Sequence, residues 1–316
     1  MSTHFPMRDT TMSCQSKPIL AKRRVNRPGL PMKTVERVIL AGMCVAFLSF
    51  VVVHDGGISV AQDGSANAGK NLQLTKQQDL RAQPVKCVVA LGESTTWGYS
   101  ATSKEKCWVN RTVRLLEEFQ GRPIKLINQG IGSNVLTPKC PAYPRSAKPS
   151  ASERLDRHVI ALKPDLVLLS YGLNDSRGGT DPEVFRTEYQ LLIDRIRAKI
   201  NPVIVILNVY YMHEQMYRYR GWHHSDYEVT EVFNRIIEEL ARKNGVILAD
   251  VYTAEKGVDW IIDGDHCHPN NLGHSLIAHR VFEAIARNCS FVTGALPKQS
   301  SIQSFRWKYG NGPDRR

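Results

Sequence analysis

The sequence predicts an α/β domain: a three-layer α/β/α sandwich around a five-stranded, mainly parallel sheet. Two observations carry this. Short β-branched or apolar runs recur at 87–91, 124–128, 166–170, 203–208 and 246–250, each separated from the next by a stretch long enough for a helix. Runs such as LVLLS at 166–170 are apolar throughout instead of alternating, the pattern of strands covered on both faces. In such a sheet ligands gather at the carboxyl ends of the strands.

Taken in chain order, residues 1–37 form a basic tail, with eight Lys or Arg against Asp9 and Glu36, and so hold half of the net charge of +12. Residues 38–53 (VILAGMCVAFLSFVVV) follow without a single charge. The pair reads as a cytoplasmic tail and a transmembrane signal anchor that exports everything after it, because cationic flanks stay inside. The sixteen apolar residues fall between the length of a signal-peptide core and that of a full span. Small residues at Ser59-Val60-Ala61 make cleavage near Ala61, and secretion, the alternative. Since half of the excess charge is a topology signal, the basic pI near 9.4 does not indicate a nucleic-acid partner.

Residues 54–83, rich in Gln, Asp, Gly, Ala and Asn, read as a flexible linker, residues 84–290 as the domain, and residues 291–316 as a basic C-terminal tail. Within the domain, Asp181-Pro182 is an N-cap followed by a first-turn proline, and Phe185, Tyr189, Leu192, Ile196 and Ile200 mark one helical face. Gly245 after Arg242-Lys243-Asn244 stops another helix. Export permits disulfides among Cys87, Cys107, Cys140, Cys267 and Cys289. Sheet topology predicts Cys107 bonded to Cys140 across a Pro-rich loop, Cys87 near Cys289 at the amino edge, and Cys267 free.

Four short blocks carry chemistry, all at carboxyl ends of predicted strands. Gly92-Glu93-Ser94 puts a serine where a strand turns towards a helix, without the elbow motif of α/β-hydrolases. Asn128 to Asn134 (NQGIGSN) supplies small residues through which backbone N–H groups reach a ligand. Tyr171 to Asp175 (YGLND) offers the Asn174 amide as an oxyanion donor. Asp265-x-x-His268-Pro269 has the spacing for a carboxylate to bind Nδ1 and leave Nε2 for a serine hydroxyl.

In this order the blocks resemble those of the SGNH hydrolases, the GDSL-like esterases and lipases, over about residues 84–290. The resemblance implies a flavodoxin-like sandwich and cofactor-free ester hydrolysis; no metal is expected, and the protein is expected to be a monomer. It implies Ser94 as nucleophile, His268 as general base then acid, and Asp265 as its orienting partner. The oxyanion hole falls to the N–H groups of Ser94 and of Gly132 or Ser133, and to Asn174. Two positions depart from the family: Glu93 stands where Asp is usual, and Ser133 aligns with the second-block glycine.

The substrate is expected to be a small-molecule or glycan ester, foremost an O-acetylated glycan of the envelope; a lipid or simple acyl ester, and acyl transfer by the same triad, are the alternatives. A different class of reading takes Asp263, Asp265, His266, Cys267 and His268 as a metal cluster or the fold as a non-catalytic module, against which the close spacing and the intact blocks argue. The aromatic stretch at 208–227 reads equally as a substrate wall or as a loop packed on the core.

Overall fold

The computed structural model describes residues 79–293. The basic tail, the apolar run at 38–53, the cleavage site near Ala61, Cys14, Cys44, the linker before Asp79 and the C-terminal tail after Thr293 lie outside the described residues. Among the described residues no helix is long and apolar enough to cross a membrane.

The chain runs through β1 (Cys87–Gly92), α1 (Ser94–Trp97), α2 (Trp108–Gln120), β2 (Lys125–Gly130), α3 (Ala151–His158), β3 (Leu166–Ser170), α4 (Leu173–Arg177), α5 (Pro182–Lys199), β4 (Val203–Leu207), α6 (Tyr227–Asn244), β5 (Ile247–Ala249), α7 (Tyr252–Glu255), α8 (Asn271–Asn288) and α9 (Ser290–Thr293). All five predicted strands form, and every pairing is parallel, in the order β2-β1-β3-β4-β5. The chain steps from β1 out to β2 and then back across to β3, so the loops after β1 and β3 diverge and leave a crevice at their carboxyl ends.

β1, β3 and β4 are almost wholly buried, as their unbroken apolar runs require, whereas β2 lies at an edge and is partly exposed. One layer of helices is α2 packed on α8; the other joins α3, α5 and α6. Asp181 caps α5 by accepting from the N–H groups of Glu183 and Val184 at 2.9 and 3.1 Å, and Phe185, Tyr189, Leu192 and Ile196 are buried on its inner face. Gly245 ends α6 in the left-handed conformation, with φ +58°.

α8 carries the chain back to the amino edge of the sheet. There Leu80 N–H donates to Asn288 O at 2.8 Å and Phe291 N–H to Arg81 O at 3.2 Å. Asp165 locks the same edge, accepting from Arg81 Nη2 at 2.6 Å and from the N–H groups of Lys86 and Cys87 at 2.8 and 3.1 Å.

The expected Cys107–Cys140 bond is not formed: all five described cysteines are free thiols. The two belong to different packing clusters. Cys107 sits in the main core with Sγ 3.6 Å from Thr96 O, while Cys140 packs with Val135 and Ala142 in a small separate cluster. The Pro-rich loop is fixed by amides instead. Asn134 Nδ2 donates to Ala147 O and Pro149 O at 2.8 and 2.9 Å, and Ala147 N–H to Ser133 O at 3.0 Å.

Candidate active site

Ser94 is the first residue of α1, immediately past the end of β1. This short helix lies directly across β2, where a Cβ at Gly130 would fall 2.1 Å from Trp97 N. Gly130 is therefore there to let α1 approach, which sets the position of Ser94; Gly132, two residues on, has open space around it.

From the opposite end of the domain, Ile262 and Pro269 form an antiparallel bridge that closes the segment bearing Asp265 and His268. Asp263 N–H donates to His268 O at 2.8 Å, and Asp265 Oδ1 accepts the N–H groups of Cys267 and His268, each at 2.9 Å. Asp265 Oδ2 meets His268 Nδ1 at 2.5 Å, and His268 Nε2 lies 2.8 Å from Ser94 Oγ. With Nδ1–H given to the carboxylate, Nε2 is left as an acceptor for the serine hydroxyl. The Tyr99 ring packs on the imidazole at 4.3 Å between centroids.

Burial disfavours the imidazolium and holds the His268 pKa below its usual value; Asp265 opposes this, and the positive charge of Arg177 reinforces it. Burial pushes the Asp265 carboxyl up, but hydrogen bonds from the His268 backbone and ring and from Cys267 outweigh it and leave the carboxyl below its usual range.

Asn174 opens the crevice on the β3 side. Its Nδ2 donates to Asn134 O at 2.9 Å, one of its two amide hydrogens. Glu93 Oε1 accepts the N–H groups of Asn174 at 3.1 Å and Gly172 at 3.3 Å. The longer carboxylic side chain at the family's usual Asp position thus ties the start of α1 to the start of α4. Burial raises its pKa well above the ordinary range, and the neighbouring Asp175 raises it further.

Ser94, Gly132, Ser133, Asn174, Asp265 and His268, all six predicted site residues, line one cavity of about 380 Å³. The N–H groups of Ser94, Gly132 and Ser133 have no acceptor among the described residues. Ser133 holds a left-handed backbone, φ +53°, which turns the chain at this point.

A model of the GDSL-like lipase/acylhydrolase family matches residues 90–276. The chain belongs to this family. It is accordingly a serine ester hydrolase. Comparison with curated proteins finds no match. Among solved structures, the fold is shared with a lipase/acylhydrolase from Enterococcus faecalis at 18% identity, TM-score 0.51, covering 68% of this chain and 99% of that one. It is shared with an α/β hydrolase enzyme from the metagenome of Lake Arreo, Spain, at 22% identity, TM-score 0.50, covering 66% and 97%. A variant of an acetyl xylan esterase from Geobacillus stearothermophilus matches at 18% identity, TM-score 0.50, covering 65% and 96%.

In this GDSL-like hydrolase the sequence around Cys267 does not converge on a point. His266 is exposed with φ +60° and packs on His213 at 5.2 Å, while the Cys267 sulfur contacts Arg177. Among the described residues no group of three or more His, Cys, Asp or Glu is arranged to hold a metal. The aromatic stretch at 208–227 divides: Tyr210, Tyr211 and Tyr217 are buried, whereas Met216, Tyr219 and Trp222 line the cavity.

Sequence reasoning missed Arg154, which is 2% exposed at the carboxyl edge of the sheet. Its Nη1 donates to Gln129 O at 2.6 Å; its Nη2 donates to Gly92 O and Asn134 Oδ1 at 3.2 Å and to Tyr171 Oη at 2.6 Å. It joins the ends of β1 and β2 to Asn134, whose carbonyl holds Asn174. Nothing marks it in the sequence, where Ser-Glu-Arg reads as an ordinary helix surface. Arg177 was equally unmarked, although it stands only two residues past the YGLND block.

Proposed function

We propose that the enzyme hydrolyses short O-acyl groups, acetyl foremost, from glycans outside the cytoplasm, through an acyl-enzyme on Ser94. The observation that carries this reading is the unbroken chain from Ser94 Oγ through His268 to Asp265, at 2.8 and 2.5 Å. His268 removes the hydroxyl proton as Ser94 Oγ attacks the ester carbonyl. The N–H groups of Ser94 and of the Gly132-Ser133 turn, with the second amide hydrogen of Asn174, stabilise the oxyanion. His268 then protonates the leaving alcohol, and water repeats the cycle on the acyl-enzyme.

A cavity of about 380 Å³ lies at the small end of ligand sites and suits an acetyl group better than a long acyl chain. Tyr219 and Trp222 at the cavity, with the exposed Tyr99 beside His268, offer ring faces of the kind that stack on sugars. One structure sharing the fold is an acetyl xylan esterase. The apolar run at 38–53 after a basic tail supports membrane tethering and export of the catalytic domain.

Detergent-purified full-length protein is assayed on 4-nitrophenyl acetate, butyrate and octanoate and on acetylated polysaccharides, with and without chelator. Activity falling from acetate to octanoate, release of acetate from glycan, and loss of activity in Ser94→Ala with an unchanged circular dichroism spectrum are expected. Full activity in Ser94→Ala, or loss of activity on chelation, would overturn the mechanism.

A further inference from the structure

The cavity that holds Ser94 contains a cation that forms no ion pair among the described residues. Arg177, at the end of α4, lines this cavity and is 5% exposed. Its Nη2 donates to Met216 O at 3.2 Å, its Nη1 contacts the Cys267 sulfur at 3.6 Å, and its Nε has no hydrogen-bond partner among the described residues. The thiol is a weak acceptor and stays neutral, since burial raises its pKa to about 11. Asp265, the carboxylate lining the same cavity, is already taken by His268.

A guanidinium removed from water without a counter-charge is unfavourable, and it becomes favourable when a ligand brings the anion. Arg177 has the donor geometry for a planar oxyanion, and Cys267 is the chain neighbour of His268. A second cation stands nearby: Arg145 lies over the ring of Trp222, another residue of the cavity, at 5.7 Å.

We infer that Arg177 binds a carboxylate of the substrate beside the scissile ester, so that the enzyme acts on acylated acidic substrates such as esterified uronate units or half-esters of dicarboxylic acids. This rests on the Ser94 reading of the site and narrows its substrate class. The shared chemistry is one carboxylate, placed on either the alcohol or the acyl half of the ester.

Two matched pairs of esters separate those halves. Full-length enzyme is given mono-4-nitrophenyl succinate against its neutral methyl ester, and acetylated glucuronate against acetylated glucose. The wild type is expected to favour the anion in at least one pair by about ten- to a hundredfold in kcat/KM, the range of a hydrogen bond to a charged group. In Arg177→Met that ratio falls towards one; Arg177→Lys, which keeps the charge and loses the fork, retains part of it. A wild-type ratio near one in both pairs, with the neutral esters cleaved, overturns this inference and leaves the Ser94 reading standing. So does a ratio undiminished in Arg177→Met. If no ester of either pair is cleaved, the reading of the site falls and takes the inference with it.

Discussion

Asp263-x-x-His266 and Asp265-x-x-His268 have the same spacing, so which histidine serves the serine depends on where the backbone sends each ring. The left-handed turn at His266 directs its ring to His213, and the following residue pair brings His268 onto Ser94. His268→Ala is accordingly expected to lose several orders of magnitude in kcat, and His266→Ala less than about tenfold, in the same ester assay. Since the neutral imidazole is the base and burial holds its pKa below the ordinary 6.5, kcat/KM should rise with pH through a midpoint below 6.5. Asp265→Asn removes the strongest interactions that raise that pKa and lets the tautomer slip. Its pH–rate profile should show a lower midpoint and a kcat reduced by roughly 10⁴.

At the scale of elements, the site stands on two buried polar residues carried by helices on opposite faces of the sheet. On α3, Arg154 fastens two strand ends to Asn134 with donors in a fixed fork, a geometry that Lys cannot reproduce. Arg154→Lys should therefore lower kcat by displacing Asn174, approaching the hundred- to thousandfold loss typical of a missing oxyanion donor, with KM little altered. On α8, His274 accepts from Trp108 N–H at 3.3 Å through Nδ1 and, in that tautomer, donates Nε2–H to Tyr99 O at 2.9 Å. Burial lowers its pKa from 6.5 to about 4. The unfolded chain thus binds the proton first, and the stability contributed by the neutral ring is present above pH 6.5 and lost as pH falls towards 4. The amount is about 3 kcal/mol. Thermal unfolding of His274→Gln should give a lower Tm at pH 7 and a shallower fall between pH 6.5 and 4.5 than in the wild type.

For the whole molecule, the two ends of the described chain meet at the amino edge, opposite the catalytic crevice. Asp79 accepts from Ser290 N–H at 2.9 Å, Arg81 reaches Asp165, and Phe291 and Val292 are buried beside them. These contacts close the domain behind the sheet without touching the site. A chain shortened to begin at residue 84 should melt several degrees below one beginning at residue 79, since each kcal/mol is worth about 2–4 °C in a domain of this size. Both should keep the same KM for a short ester. Calorimetry and steady-state kinetics on the two truncations test this.

Much of this was legible in the sequence. The strands at 87–91 and 166–170, the Asp181 cap, the Gly245 stop and the Asp265-x-x-His268 spacing are local matters, fixed by hydrophobic period, capping chemistry and the reach of one side chain over three residues. Strand order brought Ser94 to His268, 174 residues further along the chain, and the family blocks anticipated that meeting. The tertiary structure alone decided which buried polar groups find partners. Glu93 reaches the start of α4, Arg154 spans three segments, Arg177 forms no ion pair among the described residues, and Cys107 and Cys140 are packed into separate clusters. Hydrophobic period records only that a residue is buried. The partner that makes a buried charge tolerable comes from segments far away in sequence, and their approach is set by the packing of the sheet and its helices.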